Sequence, residues 1–359
     1  MADVFITHAL RTPIGTAGKA FREVTAAELG GVVLGELVRR LPGQVEDVVL
    51  GNCMGPGGNV ARVAALTAGI GDHVPALTVD RQCASGLAAI QIATPVDGYV
   101  LAGGVESAST APWRLWPETG VRYERAPFAP AGRDPEMGAA ADMLAELHGI
   151  TRARQDEYAA RSHARAAAAQ AAGAFSSEIV PVGEQVTDER IRHGLTVQRL
   201  GKLPSVFRAD GTVTVGNSCG VNDGAAVVAL SRGAGQGLRV VAAASAGVDP
   251  TLPGLGIVPA VQRVLKLGGL SLAEIDVWEF NEAFAGQVLA CCDVLGLPDD
   301  RVCPQGGALA LGHPWGASGA VLAVRLFSQL VTQEGGRYGV AAIAAGGGQG
   351  TAILVEACR

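Results

Sequence analysis

The 359-residue chain carries 50 glycines, a formal net charge of −6, and 17% charged residues against 48% hydrophobic ones. That length supports two or three domains around a large core, and the absence of a basic block excludes nucleic acid as the main partner. The seven cysteines form no CxxC pair, which argues against a metal centre of the zinc type, and no apolar run reaches membrane-spanning length.

The start, MADVFITHALRTP, has no charged stretch followed by an apolar one, so no signal peptide is expected. Scattered free thiols then fit a reduced, cytoplasmic setting. Residues 3–8 read as a buried strand. TAAELGGVVLGELVRR (25–40) reads as a helix with Thr25 as its N-cap. VEDVVLGN (45–52) is a second strand, 60–69 a helix, and LTVD (77–80) a strand leading to Cys83. YVLAGGVES (99–107) is an apolar strand with two glycines near its end. This βαβα rhythm predicts an α/β fold with a parallel or mixed sheet covered by helices.

After residue 108 the composition changes. Residues 109–134 are rich in Pro, Trp and Arg, and 138–172 are strongly helical, which reads as an insertion. The rhythm resumes at LRVVAAASAG (238–247), continues through a helix near 258–267 and IDVWEFNEAFAGQVLACCDVLG, and ends in strands at VAAIAAGGG and TAILVEA. LAGGVES (101–107) and AAGGGQG (344–350) echo one another, as do the strand-to-helix junctions DRQCASGLAAI and WEFNEAFAGQVLA. Two duplicated domains related by a pseudo-dyad are expected.

Three residues stand out for chemistry. Cys83 lies between a strand and an apolar helical pattern. With Asp80 as cap it would sit in the first helical turn, where free N–H groups and the helix dipole favour a thiolate. By itself the segment fits a nucleophile or a buried structural thiol. His313, in QGGALALGHPWGASGA, is flanked by glycines that allow close approach and by a proline that fixes the turn, so it suits a general base or a structural role equally. Asn281, in WEFNEAFAG, reads most simply as a helix N-cap with Phe284 buried, and alternatively as a holder of a water or oxyanion. GGGQG (346–350) lacks the following helix and acidic residue of a dinucleotide site; glycine N–H groups facing an oxyanion suit it better.

Together DRQCASGLAAI, GGVES, GNSCGVNDGAA, NEAFA, GGALALGHPWGASG and GGGQG resemble the thiolase family, in the family's order and spacing, from Val4 to about Val355. The resemblance implies two duplicated mixed-sheet αβαβα-type domains, formed by residues 1–108 plus 222–240 and by 241–359, with a CoA-binding insertion at 109–221. It implies that Cys83 takes the acyl group as a thioester and that His313 activates it. Asn281, through a water, and His313 would form one oxyanion site, and the N–H groups of Cys83 and Gly346 the other. Met137 and Phe284 would line the acyl pocket, and Cys219 would stand near the pantetheine. No permanently bound cofactor is implied; coenzyme A and acyl-CoA are substrates, and the partner is a second copy in a homodimer or homotetramer.

Several positions depart from the family's pattern. Where a second cysteine begins the last motif, two residues before its first glycine, this chain has Ala344, which cannot move a proton at the Cα of a second acyl group. Cys219 stands for a usual serine, Gln305 for a common asparagine, and Glu136 precedes Met137 where some members have histidine. The chain also runs short at ATPVDGY (93–99). Three functions follow as expectations: a thiolase in which Cys303 or Cys219 supplies the missing proton transfer; a condensing or acyl-transfer enzyme that uses no second cysteine; or a non-catalytic acyl-CoA-binding scaffold.

Overall fold

The computed structural model describes residues 3–123 and 125–359. Its first half runs β1 (Val4–Arg11), the two-residue β2 (Gly15–Thr16), α1 (Ala26–Arg40), β3 (Val45–Gly51), α2 (Val60–Thr67), β4 (Ala76–Val79), α3 (Ser85–Ile92) and β5 (Tyr99–Glu106). Thr25 caps α1 as expected, in a reciprocal box. Its side chain accepts from the Glu28 N–H, while the Glu28 carboxylate accepts from the Thr25 N–H.

The next stretch carries the short strands β6 (Arg114–Leu115) and β7 (Arg122–Tyr123), then α4 (Met137–Leu147), α5 (Arg152–Ala171) and the one-turn α6 (Val197–Leu200). The helical region read across 138–172 is broken in the middle. Gly149 adopts a left-handed φ of 63°, and the Thr151 side chain caps a new helix by accepting from the Arg154 N–H.

The second half follows as β8 (Asn222–Arg232), β9 (Gly237–Gly247), α7 (Ile257–Gly268), β10 (Val277–Phe280), α8 (Ala285–Leu295), α9 (Ala308–Leu311), α10 (Trp315–Phe327), β11 (Tyr338–Ala345) and β12 (Gln349–Cys358). β9 runs across the 240/241 division drawn from the sequence.

The long strands form one path, β10-β11-β12-β9-β1-β8-β5-β3-β4. Within it the same pattern occurs twice. In the first half β3 pairs in parallel with β4 and β5, and β8 pairs antiparallel with β5 and β1. In the second, β10 pairs in parallel with β11 and, through Trp278, with Val302; β12 pairs antiparallel with β11 and β9. The halves meet where Phe5 and Ile6 of β1 pair with Arg239 and Leu238 of β9.

Three hydrophobic clusters mark the layers. One holds α1 and α2 against the first sheet; another holds α7 and α8 against the second; the largest surrounds α3 and α10 in the middle. These two central helices touch backbone to backbone. A Cβ on Gly86 would lie 2.7 Å from the Ala320 nitrogen, and one on Gly319 would lie 2.6 Å from the Leu87 nitrogen, so only glycine fits at either place. Cys83 and His313 each stand two residues before one of these helices.

Candidate active site

The link from β4 to α3 holds Cys83, and it folds differently from the expectation. Gln82 takes a left-handed φ of 50°, and its N–H donates to Asp80 Oδ1 at 2.7 Å. The Ser85 hydroxyl donates to the Gln82 carbonyl at 2.6 Å and accepts from the Arg81 N–H at 2.8 Å. The left-handed residue interrupts helical continuation, so α3 begins at Ser85, Ala84 occupies the cap position, and Asp80 caps nothing. Cys83 therefore precedes the helix instead of sitting in its first turn.

The thiol is also not a resting thiolate. Burial, and then the neighbouring Cys219 thiol, push the Cys83 pKa up to about 12. Desolvation thus outweighs the dipole of a two-turn helix, and Cys83 needs a base.

His313 lies between α9 and α10, almost fully buried. Its N–H donates to Asn222 Oδ1 at 3.0 Å, and Asn222 itself is pinned by donating Nδ2 to the Gly15 carbonyl at 2.9 Å. The ring is held at both nitrogens. Nδ1 lies 2.6 Å from Ser318 Oγ, and Nε2 lies 3.4 Å from Asn281 Nδ2. An amide nitrogen only donates, so this arrangement puts the ring proton on Nδ1 and leaves Nε2 as acceptor. Burial pushes the His313 pKa down to about 3, so the imidazole is neutral at physiological pH.

Asn281 is not a helix cap. α8 starts at Ala285 with Phe284 in the cap position, and the Asn281 side chain turns to His313. Its own N–H donates to the Ala342 carbonyl at 2.9 Å, which fixes it at the end of β10. The following Glu282 is structural: it accepts from Tyr158 OH at 2.8 Å, Ser162 Oγ at 2.7 Å and the Leu309 N–H at 3.1 Å.

A narrow pocket of about 30 Å³ opens at Cys83. Met137, Ala140, Ala141 and Leu144 form one wall, the single stripe that helix α4 presents at 3.6-residue spacing. Glu136 earns its place by capping that helix, accepting from the N–H groups of Gly138 and Ala139. Phe284, packed edge-to-face on Phe207, and Ala344 line the pocket elsewhere. Cys219 lies beside Cys83 and donates its N–H to the Ala283 carbonyl at 2.9 Å, but its side chain is not among the pocket's lining. Gly346 follows the lining residues Ala344 and Ala345 and packs under Phe128.

Cys303 is misplaced for the proton-transfer role suggested for it. It is buried away from the pocket with Sγ donating to the Phe280 carbonyl at 3.2 Å, and burial beside Glu279 and Glu282 raises its pKa well above the ordinary thiol value. Gln305 pairs with Arg325 and Gln333 instead of entering the pocket. Two residues that hold His313, Ser318 at the ring and Asn222 at the backbone N–H, escaped the sequence reading. Ser318, five positions after His313 in the first turns of α10, could have been found by asking what binds the second ring nitrogen.

The structure therefore sets an imidazole held at both nitrogens beside an amide donor, and separately a thiol at an apolar pocket whose lining includes neither His313 nor Asn281. Residues 4–234 match the thiolase N-terminal domain family, and residues 236–357 match the thiolase C-terminal domain family. The chain belongs to the thiolase family. This thiolase-family chain is 41% identical over 385 residues to the putative acetyl-CoA C-acetyltransferase VraB of Staphylococcus haemolyticus, covering all of both chains. It is 42% identical over 401 residues to the 3-oxoadipyl-CoA/3-oxo-5,6-dehydrosuberyl-CoA thiolase of Escherichia coli K12, covering 99% of this chain and all of the relative. Among solved structures, the Bacillus anthracis acetyl-CoA acetyltransferase superposes with a TM-score of 0.92 at 38% identity, covering 99% of each chain. Human mitochondrial 3-ketoacyl-CoA thiolase superposes with a TM-score of 0.91 at 34% identity, covering 100% of this chain and 99% of the other. The fold is the thiolase fold, and the chain is an acyltransferase of that family.

Proposed function

We propose that this acyltransferase forms an acyl thioester on Cys83 from an acyl-CoA and makes or cleaves 3-ketoacyl-CoA. The observation that carries the reading is the buried His313–Asn281 pair at the head of α10, packed through Gly86 and Gly319 against the helix that follows Cys83. With the thiol near 12 and the imidazole near 3, a resting ion pair is disfavoured. The proton leaves sulfur for His313 as the sulfur attacks the thioester carbonyl, and it then passes to the departing CoA sulfur.

Asn281 and His313 would hold one thioester oxyanion, and the N–H groups of Cys83 and Gly346 the other. Met137 and Phe284 would contact the acyl chain. In this reading residues 109–221 contribute to CoA binding between domains formed by 1–108 plus 222–240 and by 241–359, and Cys219 borders the pantetheine arm. The enzyme would work in the cytoplasm as a homodimer or homotetramer; its free cysteines support a reducing setting, and among the described residues no helix is long and apolar enough to cross a membrane.

Incubating the protein with acetyl-CoA and mapping peptides by mass spectrometry tests the reading. An acetyl increment on the Cys83 peptide is expected. An unmodified Cys83 peptide, with the protein folded and CoA thioester in excess, would overturn it.

A further inference from the structure

Acyl transfer puts a carbon chain beside Cys83, and the space found there limits how long that chain is. The pocket at Cys83 holds about 30 Å³. A single water needs about 10–15 Å³ of such space, so the pocket takes a methyl group or, at most, an ethyl group.

The walls have little scope to open. Leu144 of α4 is almost fully buried and lines the pocket together with Gly254 and Gln287. A Cβ on Gly254 would lie 2.9 Å from Leu144 Cδ2 and 2.7 Å from Gln287 Cγ, so these three residues meet without a gap. The Gln287 amide is turned to the Gly254 carbonyl, to which Nε2 donates at 3.4 Å. On another wall Phe284 is braced edge-to-face by Phe207, with ring centroids 6.1 Å apart. Side chains packed from behind in this way cannot move aside for a longer chain. Met137 is different: half-buried, unbranched and at the first turn of α4, it can swing away.

We infer that the acyl group carried by Cys83 is acetyl, and that Leu144 is the specificity-determining residue that holds the pocket to that size. The inference rests on the acyl-transfer reading above. It makes the 3-ketoacyl-CoA formed from or cleaved to acetyl-CoA the four-carbon one, acetoacetyl-CoA. In the loading step the Cys83 sulfur bonds to the acetyl carbonyl carbon. The bond from that carbon to the CoA sulfur breaks, and its electron pair leaves with CoA, which takes up the thiol proton. Nothing is oxidised or reduced.

The test is a competition on the full-length protein. Equal concentrations of acetyl-CoA and butyryl-CoA, or of acetyl-CoA and hexanoyl-CoA, are mixed with it, and the two masses of the Cys83 peptide are compared at early times. Both thioesters compete for the same folded molecules, so the ratio does not depend on how much of a variant folds. One methylene too many in an apolar pocket is worth about 10–200-fold in rate. We expect acetyl to be preferred over butyryl at least ~10-fold and over hexanoyl at least ~100-fold. Leu144→Ala is expected to reduce the preference over butyryl by about 10-fold or more, and Met137→Ala, on the same helix, to reduce it less. Butyryl or hexanoyl loaded as fast as acetyl, or a Leu144→Ala protein with the parent's preference, would overturn the inference while leaving acyl transfer standing. A Cys83 peptide that gains no acyl mass from any of the three would overturn the acyl-transfer reading, and the inference with it.

Discussion

At the level of single residues, the proposed chemistry pairs a thiol that is hard to ionise with an imidazole that is hard to protonate. The sign of the pH response follows. His313 is lost as a base only when pH falls toward about 3, and Cys83 ionises by itself only as pH rises toward about 12. Acylation of the free enzyme should therefore be flat from about pH 5 to pH 9, measured by stopped acylation with acetyl-CoA. A break near neutral pH would show that one of the two groups has its ordinary pKa. Folding stability responds in the other direction from a salt-bridged histidine. Because His313 is neutral when folded and has an ordinary value of 6.5, its contribution is full above pH 6.5 and declines as pH falls from there toward 3.

Asn281→Ala removes one fixed amide donor and should lower the acyl-transfer rate about 10²–10³-fold with little change in melting temperature. Cys83, His313 and Asn281 were singled out in the sequence because each stands in a motif with an unusual residue pattern, and their roles belong to the proposed function. Ser318 and Asn222 were not, because each matters only through a contact across space. The cap roles given to Asp80 and Asn281 were wrong for a related reason: a left-handed Gln82 and the extended Phe284 delay both helix starts, and neither conformation is written in residue type.

Among elements, the contact of α3 with α10 joins the helix that follows Cys83 to the helix that follows His313. Gly86→Ala or Gly319→Ala would force a methyl into a backbone only 2.6–2.7 Å away. Each should destabilise by about 1–3 kcal/mol and lower the acylation rate by moving Cys83 relative to His313. Denaturant unfolding together with an acylation assay checks both effects. Thr25→Ala gives the contrast: losing the cap of the outer helix α1 should cost about 1 kcal/mol and leave the acylation rate unchanged.

Elements with clear punctuation were read well, such as α1 with its Thr-x-x-Glu start. β8 passed unread as a strand because NDGAAVVAL, buried on both faces, has no alternation to mark it. The same limit hid the break between α4 and α5, where a single glycine turn divides two helices of similar composition.

In the molecule as a whole, the intervening segment is tied to the sheet by a buried ionic cluster. Arg11 of β1 bonds Glu178 at 2.8 Å and Asp188 at 2.7 and 2.9 Å, while Arg325 of α10 reaches the other oxygen of Glu178. Phe175 lies under both guanidinium groups. Removing one partner strands buried charge, so Arg11→Met should destabilise by about 3–5 kcal/mol, read as a fall in the denaturant midpoint. A loss below about 1 kcal/mol would mean that water reaches the cluster.

The twofold repeat of strand order was visible in the sequence as paired glycine turns and paired strand-to-helix junctions. The ionic cluster was not, because each arginine lies more than a hundred residues from the carboxylates it meets. The central claim is that Cys83 and His313 act as one unit. The most direct test is the time course of acetyl transfer to Cys83 in the parent and in His313→Asn, followed by intact mass with folding checked by circular dichroism. The account predicts acylation at least ~100-fold slower in the variant with an unchanged fold. Equal rates in the two folded proteins would contradict it.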